Sequence, residues 1–198
     1  MVTTEGQRGR GAVGQRGRGA EGQRVRGADG KTGRRAAVWV ILSAGLLGSP
    51  VVAQDTGLPI GSQAAALALP DLEGASYDLG QVIGKKPVLV QFWATWCSLC
   101  RALIPELHKV RAAYGDRVEL IGVNVTVNES KGRAGRYLER HKPPYRALWD
   151  EKGAAARAYD APSTSYVMVL DAVGKVVYTG VGSDQDLVAA VKKAIGGP

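Results

Sequence analysis

The chain has 198 residues and a formal net charge of +8 at neutral pH. Residues 1–53 hold nine basic and three acidic side chains, a net charge of +6, whereas residues 54–198 hold seventeen and fifteen, a net charge of +2. A nearly neutral region lacks the broad positive surface that phosphate binding needs. The charge distribution therefore argues against a nucleic-acid partner for the larger part of the chain.

Residues 1–35 contain an arginine- and glycine-rich repeat with a period of eight, whose copies begin at Gly6, Gly14 and Gly22. The repeat has almost no apolar side chains that could offset the entropy of ordering, so we predict a disordered leader. An RNA-binding arm is the functional alternative. We favour two other interpretations over this one, because an export signal follows the repeat. The segment is either a leader without a function of its own or the result of a start codon assigned too far upstream.

Residues 36–53 have the pattern of a secretory signal peptide. Arg34 and Arg35 supply a positive end, an apolar run extends from Ala36 to Gly48, and small residues at 51–53 suit a signal peptidase. The apolar run is shorter than the roughly 20 residues of a spanning helix, although a membrane anchor remains the alternative. We predict export to the periplasm or another extracytoplasmic compartment.

Strand and helix patterns alternate in the rest of the chain and predict one domain over 62–197, with a central sheet and helices on its faces. The predicted strands are 65–69, 76–79, 87–93, 118–125, 145–149, 166–170 and 175–180, and the predicted helices are 97–114, 131–141, 154–159 and 184–195. The first two strands form an N-terminal hairpin. Pro105 should kink the first helix. Ser183 and Asp186 have nearly the spacing of a capping box at the start of the last helix, which Gly196 should end.

The chain has only two cysteines, Cys97 and Cys100, which are too few and too close together for a stabilising disulfide framework. They follow a predicted strand and open a predicted helix. At a helix start, free N–H groups and the helix dipole favour an anion and lower the pKa of the Cys97 thiol. The spacing places Cys100 on the same helix face. We predict that Cys97 attacks a partner and that Cys100 then resolves the mixed disulfide, closing a redox-active Cys97–Cys100 bond.

Zinc binding and haem attachment are alternative uses of a Cys-x-x-Cys pair. Zinc needs four ligands, and the only other strong candidates are His108 and His141, without a second cysteine pair. Covalent haem needs a histidine directly after the second cysteine, where Arg101 stands. We expect neither a metal nor a cofactor.

The segment Gln91-Phe-Trp-Ala-Thr-Trp-Cys-Ser-Leu-Cys100 resembles the active-site strand and loop of the thioredoxin superfamily, in particular its exported TlpA/ResA-like branch. Weaker similarity extends over about residues 62–195. The resemblance implies a thioredoxin-like α/β fold, in which helices flank a mixed sheet of four or five strands, and thiol–disulfide oxidoreductase activity outside the cytoplasm. The implied partners are protein thiols or disulfides and a membrane or extracytoplasmic electron donor, and we expect a monomer.

The resemblance also implies which residues contact a substrate. Trp96, which precedes the first cysteine, is the aromatic residue expected to touch a partner. The family's cis-proline loop lies about six residues before the aspartate that ends the next strand; counting back from Asp171 gives Ser165, preceded by Thr164, whereas the nearest proline is Pro162. Either Pro162 or Ser165 fills the cis-proline place. In the second case we expect a trans bond at Ser165, because a non-proline cis bond costs about 2.5–4 kcal/mol.

Two departures from the family pattern leave the second cysteine without an evident base. Gln91 occupies the place of the buried acid of thioredoxin and cannot accept a proton from Cys100. Leu103 stands where the TlpA/ResA-like branch commonly has a glutamate. A binding or holding module without significant redox turnover is therefore the alternative function. The basic stretch 131–146 is interpreted as a solvated helix face.

Overall fold

The structure is a computed structural model that describes residues 56–196, so the predicted leader and signal peptide lie outside the described residues. The strands are β1 Ala68–Pro70, β2 Ser76–Asp78, β3 Val88–Trp93, β4 Glu119–Asn124, β5 Arg146–Trp149, β6 Val167–Leu170 and β7 Val176–Gly180. The helices are α1 Ser98–Ala102, α2 Ile104–Tyr114, α3 Lys131–His141, α4 Ala154–Ala158 and α5 Leu187–Gly196. Short 3-10 turns lie at Leu79–Gln81 and Gly115–Arg117.

Five strands form a mixed sheet in the order β5-β4-β3-β6-β7, and β1 and β2 form a separate antiparallel hairpin. Strands β3, β4 and β5 are parallel, whereas β6 is antiparallel to β3 and β7 is antiparallel to β6. This arrangement, with its flanking helices and N-terminal hairpin, confirms the predicted fold class.

The central strand β3 is buried along its whole length, which explains why Gln91 is its only polar residue. Val90 and Phe92 face one core cluster, which includes Tyr159 of the α4 segment. Leu89 faces the opposite cluster, which contains Leu107 of α2 together with apolar residues of α5. The two cores fix the position of β3, and the end of this strand carries the predicted redox loop.

Two helix boundaries differ from the prediction. The predicted helix 97–114 is interrupted at Leu103, which ends α1 and precedes α2, and Pro105 lies in the first turn of α2. A proline ring clashes with the carbonyl four residues earlier, so the break falls before the proline and not at it. Helix α5 begins at Leu187, after a cap in which Asp186 Oδ1 accepts the N–H of Ala189 at 2.8 Å. Asp186 is therefore the cap itself.

None of the helices within residues 56–196 combines the length and the apolar composition needed to cross a membrane.

Candidate active site

The two cysteines lie where the central strand passes into a helix. β3 ends at Trp93, and Cys97 is the N-cap residue of α1, whose first residue is Ser98. Cys97 Sγ accepts the backbone N–H of Cys100 at 3.0 Å. A disulfide joins the two residues, with their Cα atoms 5.3 Å apart. The sequence-predicted pair is thus brought together at a helix start, the position that favours a thiolate after reduction.

Cys100 is buried. The two positions that commonly hold an acidic residue in the family are occupied here by Gln91 and Leu103, which do not titrate. Cys100 Sγ is 3.8 Å from the carbonyl oxygen of Phe92. The buried Gln91 donates from Nε2 to the Cys100 carbonyl at 3.4 Å. Leu103 is fully buried in the core beside α2. Neither Gln91 nor Leu103 can accept a proton at neutral pH.

The residues before Cys97 are fixed by the loop between β4 and α3, residues 125–130, which we call the β4–α3 loop. Glu129 Oε1 accepts two hydrogen bonds from Thr95, one from the backbone N–H at 3.0 Å and one from the hydroxyl at 2.6 Å. Trp96 Nε1 donates to the carbonyl oxygen of Val127 at 2.8 Å. Three hydrogen bonds therefore hold the redox loop against a segment more than 30 residues away in sequence.

The β4–α3 loop has a strained backbone at this contact. Thr126 and Asn128 have φ angles of 61° and 52°, in the left-handed region, and they flank Val127. A β-branched residue such as Thr126 rarely adopts this conformation. The Thr126 hydroxyl donates to the carbonyl oxygen of Asp150 at 3.2 Å, which helps to hold the loop. Strain of this kind is commonly found at functional sites, where surrounding contacts maintain it.

The segment before β6 places Ser165 opposite the redox pair. The Ser165 N–H donates to the carbonyl oxygen of Phe92 at 2.9 Å, the same oxygen that Cys100 Sγ approaches. The Ser165 hydroxyl accepts the N–H of Gly182 at 3.1 Å. Ser165 has a φ of 62°, and residues 56–196 contain no cis peptide bond. Pro162 is exposed and lies outside this hydrogen-bonded pairing.

Exposed apolar side chains occur on the segments that carry or contact the buried pair. Residues 56–196 contain six large apolar side chains that are exposed, and four of them lie on segments of the site: Trp96, Leu99, Val127 and Val181. Trp96 is 53% exposed, and it lines a cavity of about 330 Å³ together with Thr164 and Val127. Such a concentration of exposed apolar surface is typical of a contact surface for another molecule.

Sequence reasoning missed Glu129 and a second cavity, of about 250 Å³, which is lined by Thr95, Arg101 and three arginines of α3. Burial raises the pKa of Tyr137, which also lines this cavity, and the nearby Arg101 charge partly opposes the rise. The spacing of Arg133, Arg136 and Arg140 was a visible signal, because it places them on one face of a helix. Nothing in the sequence placed Arg101 opposite that face.

No three His, Cys, Asp or Glu side chains within residues 56–196 are grouped so that they could hold a metal ion.

Comparison with known proteins shows the family. The model of the Redoxin family matches residues 59–195. Thiol-disulfide oxidoreductase ResA of Geobacillus thermodenitrificans is 29% identical over 137 residues, which is 68% of this chain and 77% of the relative. Thiol:disulfide interchange protein DsbE of Yersinia pestis is 33% identical over 150 residues, or 70% of this chain and 76% of the relative.

A solved structure agrees with these relatives. The secreted Mycobacterium tuberculosis disulfide oxidoreductase homologous to E. coli DsbE has a TM-score of 0.56 and 25% identity, covering 63% of this chain and 93% of that one. The resemblance to the thioredoxin superfamily is therefore confirmed. The chain belongs to the Redoxin family and is a thiol–disulfide oxidoreductase with a thioredoxin-like fold.

Proposed function

We propose that this protein exchanges disulfides with cysteines of partner proteins outside the cytoplasm, with Cys97 as the attacking residue and Cys100 as the resolving one. The observation that carries this assignment is the different environment of the two sulfur atoms. Cys97 Sγ accepts a backbone N–H at the start of α1, whereas Cys100 Sγ lies near the Phe92 carbonyl in the core. A thiolate is stabilised by the first environment, and a thiol can donate to the carbonyl in the second.

In the reducing direction, the Cys97 thiolate attacks one sulfur of a partner disulfide, and the other partner sulfur leaves as a thiolate that takes up a proton. Cys100 then loses its proton and attacks Cys97 Sγ. The second partner sulfur leaves, and two electrons have passed from the cysteine pair to the partner. Since Gln91 and Leu103 supply no base, the Cys100 proton goes to water or to a departing thiolate. The same steps in reverse oxidise a partner dithiol.

The surface around the pair supports a polypeptide as the partner. The side chains of Trp96, Leu99, Val127 and Val181 are each more than 40% exposed, and they offer apolar contact area on the redox loop and on segments linked to it by hydrogen bonds. Among the residues that the family resemblance suggested, we assign partner contact to Trp96 and Thr164, which line the cavity at this area. Ser165 is only 1% exposed, so we assign it a positioning role through its hydrogen bonds to Phe92 and Gly182. Pro162 is exposed but stands outside the pairing with Phe92, and we assign it no partner contact.

An extracytoplasmic location is supported by two observations of different kinds. Residues 36–53 have the composition of an export signal. The matching Mycobacterium tuberculosis disulfide oxidoreductase is described as secreted. We further propose a monomer that receives or passes on electrons through a donor or acceptor at the membrane or in the same compartment.

Trapping of mixed disulfides tests the roles of the two cysteines. C100S should accumulate mixed disulfides with partner proteins, because the resolving step is lost. Dithiothreitol should reduce these complexes and separate the two proteins. C97S should trap little, since Cys100 Sγ lies beside the Phe92 carbonyl and not at the helix start that stabilises a thiolate. Non-reducing gel electrophoresis and mass spectrometry of the complexes provide the measurement. Equal trapping by both variants would contradict the assigned roles.

The reduction potential of the Cys97–Cys100 pair distinguishes the direction of exchange and tests the alternative function. Equilibration in glutathione or dithiothreitol buffers, followed by counting of free thiols, measures it. A value near about −270 mV would indicate a reductase, and a value near about −120 mV an oxidant. A binding or holding module would instead show no turnover of a peptide disulfide, whatever the state of its own cysteines.

A further inference from the structure

Four arginines converge on one cavity beside the redox pair. Residues 54–198 contain eight arginines, and half of them line this cavity of about 250 Å³: Arg101, Arg133, Arg136 and Arg140. Thr95 also lines it. Thr95 lies two residues before Cys97 and Arg101 follows Cys100 directly, so the cavity borders the active-site segment on both sides.

The positive charge of this cavity is not balanced by the protein within the described residues. The ion pairs found in residues 56–196 involve Lys86, Lys109 and Arg111, and none involves a cavity arginine. The Arg133 guanidinium donates to a backbone carbonyl, which is neutral. The nearby Glu129 carboxylate, which accepts two hydrogen bonds from Thr95, supplies one negative charge against the four positive charges of the arginines. Since the region 54–198 has a net charge of only +2, this concentration is local.

The shape of the arginine cluster favours an extended acidic chain over a single small anion. Arg133, Arg136 and Arg140 fall within about 60° of each other around the axis of α3, and the first and last are about 10 Å apart along it. An extended polypeptide covers that distance with about three residues. Guanidinium groups bind carboxylates through paired, charge-assisted hydrogen bonds. The apolar side chains around Cys97 add a contact area suited to a polypeptide.

We propose that the cavity formed by Arg101, Arg133, Arg136 and Arg140 binds an acidic segment of the partner protein, close in sequence to the cysteine that Cys97 attacks. This inference rests on the proposed function, because it names the class of substrate for the same site. The arginines act by positioning the partner and by attracting it electrostatically. They take no part in the transfer of electrons or protons between sulfur atoms.

Two peptide disulfides test the proposal, one with three aspartates next to its cysteine and one with three serines. The double variant R136Q/R140Q should lower kcat/KM for the acidic peptide about tenfold at about 20 mM salt and leave the serine peptide within about twofold. At about 500 mM salt the difference should largely disappear, because salt screens exposed charges. R117Q/K192Q, which removes the same charge from residues outside the cavity, should behave like the unaltered protein.

The outcomes separate this proposal from the proposed function. Absence of exchange with both peptides in the unaltered protein would refute the proposed function. Exchange with both peptides, together with an equal effect of R136Q/R140Q on the two, would overturn only the acidic-segment proposal. An acidic peptide without cysteine should inhibit exchange, whereas free glutamate at the same carboxylate concentration should not. Equal inhibition by glutamate would indicate a small-anion site and would also overturn the proposal.

Discussion

The carboxylate of Glu129 joins the redox loop to the β4–α3 loop, and its removal tests how strongly this junction stabilises the site. In E129A, the N–H and the hydroxyl of Thr95 both lose their acceptor. A hydrogen bond to a charged group contributes about 1.5–3 kcal/mol. Since the Thr95 hydroxyl can rotate towards water, we expect the free energy of unfolding to fall by about 2–3 kcal/mol in total. E129Q keeps an acceptor oxygen and should lose only about 1 kcal/mol.

Urea unfolding of the oxidised protein measures the effect. E139A is a matched control on α3, because Glu139 is exposed and forms no ion pair within the described residues; it should change the stability by less than about 0.5 kcal/mol. T95V removes the hydroxyl and leaves the backbone N–H in place. A double-mutant cycle of E129A with T95V should therefore show coupling of about 1 kcal/mol. A cost for E129A no greater than that of E139A, or additive effects in the cycle, would refute this reasoning.

Three further predictions concern the side chains of Gln91, Tyr166 and Ser165. Q91E introduces a carboxylate beside Cys100 that can act as a base. Resolution of a mixed disulfide, measured by stopped-flow, should become about tenfold or more faster as pH rises through the titration of that carboxyl, and an unchanged rate would show that a base at position 91 does not reach the Cys100 proton. Burial raises the pKa of Tyr166 to about 12 from its ordinary 10.0. Because the tyrosine ionises at a lower pH in the unfolded chain, the free energy of unfolding should fall by about 2 kcal/mol between about pH 10 and pH 12. Alkaline denaturation should show Y166F losing less stability than the unaltered protein over that interval, and equal losses would argue against this source. S165A removes the acceptor of the Gly182 N–H and should cost about 1 kcal/mol in urea unfolding, and an unaffected stability would mean that water replaces the hydroxyl.

Much of the fold follows from local patterns that the sequence displays directly. The apolar runs of β3 and β4 are long enough to identify buried parallel strands, and the polar face of α3 has a clear helical period. The exact ends of the helices were harder to predict from the sequence. The break at Leu103 depends on how Pro105 fits the preceding turn, and the late start of α5 depends on Asp186 serving as its cap.

The site was predictable where its chemistry lies in one short segment. Cys97, Cys100 and Trp96 are adjacent in a motif, and counting back from Asp171 gave Ser165 as one of two candidates, with Pro162 as the other. The contact of Glu129 with Thr95 was not accessible in this way. It joins residues 34 positions apart, and it requires a loop with two left-handed residues to return towards the end of β3.

The burial of Cys100 couples folding of the chain to its redox state. Unfolding transfers both sulfur atoms from their native environments to water, whether or not the bond between them is closed. In the resulting thermodynamic cycle, the difference in unfolding free energy between the oxidised and reduced protein equals the difference in reduction potential between the folded and unfolded chain, with about 1.4 kcal/mol for each 30 mV. Denaturation curves of the two states therefore report how far the native structure shifts the potential of the Cys97–Cys100 pair. If the reduced protein is the more stable one, the fold itself makes the pair a stronger oxidant.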